Sequence, residues 1–301
     1  MAFTKNNLMK NIDISDYKIT ETMKLANIPT FIPVEDKKKG KIRLLKDVRK
    51  KLAKRQDIMY AHGRYAVLVC IQGMDTSGKD SLIREVFKSF NPRGVTVHSF
   101  KVPSSKELRH DYIWRHYRAL PEKGKFAVFN RTHYENVLVT RVNKHFLLKE
   151  NIPGLEQVED IPAGFWEKRF EQINNFEKHI TENGVIVMKF FLHLSKEEQR
   201  NRLIRRLVKE KHNWKFTPSD LAERALWDEY QRYYEEAINN TSAPGAPWYV
   251  IPADDKMTAR YLVAKIIFEE ILKYPDMREP ELDPAIKQNI EVYKQKLKMD
   301  K

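Results

Sequence analysis

The stretch CIQGMDTSGKDSLI, Cys70 to Ile83, constrains this chain more than any other. An apolar run, YAVLVCIQG, leads into Gly73; four residues follow, then Gly78 and Lys79, and an amphipathic pattern begins at once. Strand, glycine-rich turn and helix in that order gather consecutive backbone N–H groups and a helix N-terminus around one point. Those groups suit a phosphate, to which Lys79 adds a positive charge.

A strand feeding such a turn belongs in a parallel sheet, and the rest of the chain agrees. Four more runs of strand type follow: GVTVHSF, KFAVFN, GVIVMKFFLHL and PWYVIPAD. Their continuous apolarity suits strands buried on both faces. Amphipathic segments separate them, one marked by Leu82, Ile83, Val86, Phe87 and Phe90, another by Phe165, Phe170, Ile173, Phe176 and Ile180. The alternation predicts an α/β fold, a P-loop kinase-like parallel sheet of about five strands with helices on both faces. A basic helical lead-in occupies residues 1–62, the core 63–275 and a charged tail 276–301. In the lead-in, Leu44, Val48, Leu52 and Ile58 recur near helical spacing, which fits a packed surface helix or, alternatively, a polyanion-contacting arm.

Two acids in a phosphate cradle require an account. Asp80 stands where such loops carry a Ser or Thr that holds Mg²⁺, and Asp75 lies inside the loop. A bare carboxylate repels phosphate, whereas a carboxylate with Mg²⁺ between the two attracts it, so Asp75 becomes the candidate metal ligand. Asp80 in the first helical turn also offsets the helix dipole. The strand KFAVFN ends in Asn130, followed by Arg131, at the sheet edge where ligands bind. Glu135 lies close enough in sequence to restore a missing carboxylate or to be a surface acid.

Charge narrows the partner. Lys plus Arg exceed Asp plus Glu by 55 − 41 = 14, which calls for a polyanion. Much of the excess falls in SKEEQRNRLIRRLVKEKHNWKFTPSD, where Arg202 shares a helical face with both Arg205 and Arg206. After the fourth strand of such a fold, this run is placed as an arginine-bearing lid over residues of about 200–222. The single cysteine, Cys70, excludes an internal disulfide, and no run reaches membrane-spanning length. The opening MAFTKNNLMKNIDISDY lacks the apolar stretch of a secretory signal, and a cytoplasmic location is expected.

With these elements located, the chain resembles the type 2 polyphosphate kinases, from about Arg64 to Ile267. The resemblance rests on GMDTSGKD, on YIWRHYRALPEKGKFAVFNRTHYENVLVTRV, on NWKFTPSD and on WDEYQRYYEEAINNTSAPGAPWYVIPADDK. It implies reversible transfer of phosphate between inorganic polyphosphate and nucleotides, with Mg²⁺, or Mn²⁺ in its place, and a homo-oligomer, dimer or tetramer. Asp75 would hold the metal and orient the nucleophilic phosphate. Asn130, Arg131, Arg206 and Asp220 would join Asp75 and Lys79 in catalysis. Gly73, Thr76, Ser77, Gly78, Lys79, Asp80, Arg202 and Lys215 would contact polyphosphate. Asn130 departs from the Asp of many members and is typical of a subgroup accepting both nucleoside mono- and diphosphates.

The acceptor, AMP or ADP or alternatively a guanine nucleotide, is placed near FKVPSSKELRHDYIWR, with Lys101, Arg109, Arg115 and Glu135 as contacts. Tyr112 and Trp114 would flank a base or pack in the core. An ATP-dependent nucleotide kinase keeps the fold but changes the donor, and Asp75 and Asp80 count against it. A nucleic-acid-associated protein would carry Ser or Thr at position 80 and an aromatic–basic platform, and neither is present.

Overall fold

A computed structural model describes residues 8–300; residues 1–7, where the opening segment begins, lie outside the described residues. The five expected strands form one sheet: β1 Ala66–Gln72, β2 Val95–Ser99, β3 Phe126–Asn130, β4 Val185–His193 and β5 Trp248–Pro252. All pairings are parallel, in the order β2-β3-β1-β4-β5. The chain fills one side of β1 through β2 and β3, then the other through β4 and β5. The ligand crevice of such a sheet therefore opens at the carboxyl end of β1.

Eight helices matter here: α1 Lys38–His62, α2 Lys79–Val86, α3 Phe165–Glu182, α4 Lys196–Val208, α5 Ser219–Ala225, α6 Trp227–Thr241, α7 Lys256–Leu272 and α8 Ile290–Met299. All seven residues of β1 are buried, and its period of two divides them between the faces. Val67, Val69 and Ile71 join a core with Leu82 and Val86 of α2 and Leu262 and Ile266 of α7. Leu68 and Cys70 face the other way, toward Phe176 and Ile180 of α3.

Three details differ from expectation. β2 is not buried on both faces: it is one of the two edge strands, and Val97 is exposed. The helix starting at Lys79 stops at Val86, and Phe87 and Phe90 reach the core from the following turns. In α1 the buried line is Leu45, Leu52 and Met59, with Leu44, Val48 and Ile58 as half-buried flanks. That line packs α1 on α7, so the helix shares the main core.

The segment before α1 lies along β5, where Lys18 bridges Tyr249 and Ile19 N donates to Trp248 O at 2.9 Å. It covers a sheet edge that would otherwise expose unpaired backbone groups. At the other end, α8 buries none of its residues. Among the described residues, no helix is long and apolar enough to cross a membrane.

Candidate active site

The loop between β1 and α2 is shaped by close approach. A side chain at Gly73 would place its Cβ 2.8 Å from Ser77 Oγ and 3.1 Å from the Leu192 carbonyl oxygen. Gly78, at φ +101°, turns the chain into α2, and Thr76 adopts φ +65°. The Thr76 and Ser77 hydroxyls are buried without a partner, a state that costs free energy until a ligand supplies one. Lys79 folds its ammonium back onto Gly73 O at 2.5 Å and Met74 O at 3.3 Å. Burial and the neighbouring Arg131 lower its pKa, against the opposing pull of Asp75, Glu135 and Asp80.

Arg131 joins this loop to the end of β3. It occupies the left-handed region at φ +58°, and its guanidinium donates to Asp75 Oδ1 at 3.2 Å and Glu135 Oε2 at 3.3 Å. Glu135, with Asp75 adding to it, raises the Arg131 pKa despite burial, so the charge is permanent. Asn130 donates through Nδ2 to Asp80 Oδ1 at 2.6 Å. Asp80 therefore has a partner beyond the helix dipole, and the amide of Asn130 meets it without the repulsion that a second carboxylate would bring.

Helix α4 supports the loop from behind. Arg202 is buried at 4% exposure. Its Nε donates to Glu198 Oε1 at 2.7 Å, Nη1 to the Thr76 and Ser77 carbonyls at 3.1 and 2.9 Å, and Nη2 to those of Ala253 and Asp254 at 2.7 and 3.0 Å. A guanidinium has five N–H groups, and all are engaged. Arg202, expected to contact polyphosphate, borders the cavity in front of the loop while its N–H groups clamp the loop to the end of β5. Gln199, one turn earlier, adds a bond from Nε2 to Asp75 O at 3.2 Å.

One turn further on, α4 faces open space. Arg206 donates to Asp220 Oδ2 of α5 at 3.2 Å and to Lys215 O at 3.2 Å, closing the lid segment on itself. Together the loop, β3, α4 and α5 enclose a cavity of about 670 Å³. Eight cations line it (Lys79, Arg131, Arg202, Arg205, Arg206, Lys209, Lys215, Lys256) against three acids (Asp75, Asp80, Asp220). That balance suits a polyanion. Lys256 and Arg205 were not among the expected site residues. Lys256 shows itself in sequence only as a cation after the fifth strand, and burial with Arg202 and Arg205 nearby brings its pKa down to about 8.

A second cavity, of about 590 Å³, lies on the other side of Arg131. Its wall is largely apolar, with Phe100, Leu108, Tyr112, Val139 and Phe146, and carries Lys101, Arg115 and Glu135 at polar points. Arg131 lines both cavities. Of the residues expected around a nucleotide, Arg109 is not brought here: it is exposed on a short turn, Glu107–Arg109. Tyr112 lines the cavity beneath Arg169, whereas Trp114 stacks on His110 at 3.8 Å.

Two polar residues that sequence reading passed over also belong to the frame. Gln72, the last residue of β1, donates to Thr132 Oγ1 at 3.1 Å and ties the phosphate loop to the β3 turn. Lys189, inside the apolar strand VIVMKFFLH, is fully buried against Glu177 of α3. Each interrupts an apolar run, which is the signal that sequence offers for them.

Comparisons with known proteins agree with this fold. The family model described as Polyphosphate kinase 2 (PPK2) matches residues 35–280. An ADP-polyphosphate phosphotransferase of Rhodopseudomonas palustris is 43% identical over 280 residues, covering 92% of this chain and 95% of that protein. An AMP/ADP-polyphosphate phosphotransferase of Meiothermus ruber is 43% identical over 245 residues, covering 80% and 86%. The crystal structure of polyphosphate kinase 2 from Arthrobacter aurescens superposes with a TM-score of 0.82 at 30% identity, over 97% of this chain and 99% of that one. The chain belongs to the polyphosphate kinase 2 family.

Proposed function

We propose that this protein transfers the terminal phosphoryl group of inorganic polyphosphate to AMP and to ADP, reversibly. One observation carries the reading: Arg131 stands in the common wall of a strongly cationic cavity and a largely apolar one. The first suits a phosphate chain and the second a nucleoside, so the donor and acceptor phosphates meet at Arg131. An oxygen of the nucleotide's terminal phosphate attacks the terminal phosphorus of the chain, and the P–O bond to the rest of the chain breaks. The attacking oxygen is already anionic, so positioning and neutralisation of charge dominate.

In this mechanism Thr76 and Ser77 offer their hydroxyls to the donor, and Lys79, Arg131 and Arg206 stabilise the charge of the transferring group. The tilt of the backbone at Arg131 aims its guanidinium between Asp75 and Glu135. The donor set fits Mg²⁺, which takes hard oxygens from one or two carboxylates and from phosphates. Asp75, partly exposed in the cationic cavity, would hold it, with Asp80 and the Asn130 amide oxygen nearby. A metal held there would supply positive charge to the reacting phosphates.

The test is an assay with polyphosphate, Mg²⁺ and either AMP or ADP, with products separated by chromatography and ATP as a control donor. ATP from ADP, and ADP with ATP from AMP, are the expected outcome. Product from only one acceptor would narrow the substrate range. Transfer from ATP but not polyphosphate would replace the donor and sink the reading.

A further inference from the structure

Arg131 holds the two cavities together from a left-handed backbone conformation that side chains rarely adopt, so the residues that follow it must hold the turn. They do so through the interior. Thr132, fully buried, accepts from Tyr134 N at 3.1 Å and from Gln72 Nε2 at 3.1 Å. His133 and Tyr134, also fully buried, both reach Glu177 Oε1 of α3, at 3.1 and 2.8 Å.

Glu177 is itself 1% exposed and is met by Lys189 of β4, whose ammonium donates to Glu177 Oε2 at 2.5 Å, Tyr134 Oη at 2.9 Å and Thr241 O at 2.6 Å. Lys189 sits mid-sheet, in register with Cys70 and Trp248. Its three protons and the Glu177 carboxylate are thus taken up within a closed network.

Packing alone does not ask for these charges. Apolar side chains of similar volume commonly replace a buried ion pair without loss of stability, whereas a buried network selects one arrangement over its neighbours. This network grips two successive side chains, His133 and Tyr134, between Arg131 and Glu135. We propose that Glu177 and Lys189 are positioning residues: acting through Tyr134 and His133, they fix the β3 turn so that Arg131 spans Asp75 and Glu135. Neither lines either cavity. The proposal rests on the phosphotransfer reading for its kinetic measure.

The experiment compares the full-length protein with Glu177→Met/Lys189→Met and with Tyr134→Phe, which keeps the ring but removes the shared hydroxyl. For the double variant, kcat falls by at least about tenfold while KM for polyphosphate and for ADP each stay within about threefold, because a misplaced turn weakens transition-state contacts more than ground-state binding. For Tyr134→Phe, the same split appears with a fall of about threefold or more. A folded variant that keeps kcat within twofold overturns the proposal, as does one that raises only KM. Should the double variant fail to fold, Tyr134→Phe decides. The Arg131 side-chain NMR signal, assigned by its loss in Arg131→Lys, gives a measure independent of turnover. It stays sharp in the parent and shifts or broadens in both variants; an unchanged signal overturns the proposal even if the phosphotransfer reading fails.

Discussion

Asp75 meets two demands in one carboxylate: it accepts from Arg131 and faces the cationic cavity where a metal would sit. Asp75→Asn keeps the shape and a hydrogen-bond acceptor but removes the charge. Its kcat is expected to fall by about 10²–10³, as when one preorganised electrostatic group is lost. Thermal stability should change little, since the side chain is partly exposed. Normal activity with a normal metal requirement would remove Asp75 from the centre. Lys256 gives a prediction in pH. Burial, then Arg202 and Arg205, brings its pKa to about 8. Below that pH it is protonated and attracts the phosphate chain; above it the proton is lost and the attraction goes. KM for polyphosphate should therefore rise as pH passes from 7 to 9, and Lys256→Met should start higher at pH 7 and show a flatter profile. A parent and variant with parallel profiles would exclude Lys256 from the binding site. The place of Asp75 at the cavity was legible because an acid in a phosphate loop is chemically odd. Lys256 was not, because its environment comes from α4 packing across it, and no local pattern records that.

At the scale of the element, α4 presents two arginines on one face with opposite surroundings. Helical spacing pairs Arg202 with Arg206, but only the first turns of α4 lie against the phosphate loop. That contact buries Arg202 among four backbone carbonyls and leaves Arg206 at the cavity with Asp220. Arg202→Met orphans those carbonyls and is expected to cost about 3 kcal/mol or more in urea unfolding. Arg206→Met breaks one partly exposed ion pair and should change stability by under about 1 kcal/mol, while kcat falls by about 10²-fold. If the two substitutions cost equal stability, the division of labour along α4 is wrong. Periodicity reports which residues share a face, and the neighbour that face meets is a tertiary matter. The same limit explains β2. Its apolar run reads like the others, yet it is an edge strand without the cover that the segment before α1 gives β5. Conversely, β1, β3, β4 and α3 were legible because continuous apolar strands and a regular apolar stripe leave few alternatives.

The molecule as a whole carries a formal charge of +14, and the cationic cavity concentrates part of it. Arg131 and Arg206 are tied to carboxylates and Arg202 to backbone and Glu198, whereas Lys79, Arg205, Lys209, Lys215 and Lys256 have no carboxylate partner among the described residues. A phosphate chain that meets those five releases its counterions, as a single nucleic acid strand does, with a loss of about 0.7 in log affinity per log unit of salt for each contact. The slope of log KM for polyphosphate against log salt should thus be about 3.5, and each of Lys209→Gln and Lys215→Gln should lower it by about 0.7. The acceptor enters a cavity where Lys101, Arg115, Arg131 and Lys149 are matched by Glu107, Asp111, Glu135 and Glu150, so its KM should respond far less steeply. Steady-state kinetics from low to moderate potassium chloride, with each substrate varied in turn, separates the two. Equal slopes for donor and acceptor would mean that the basic surface acts as a general field, and the assignment of the phosphate chain to this cavity would fall.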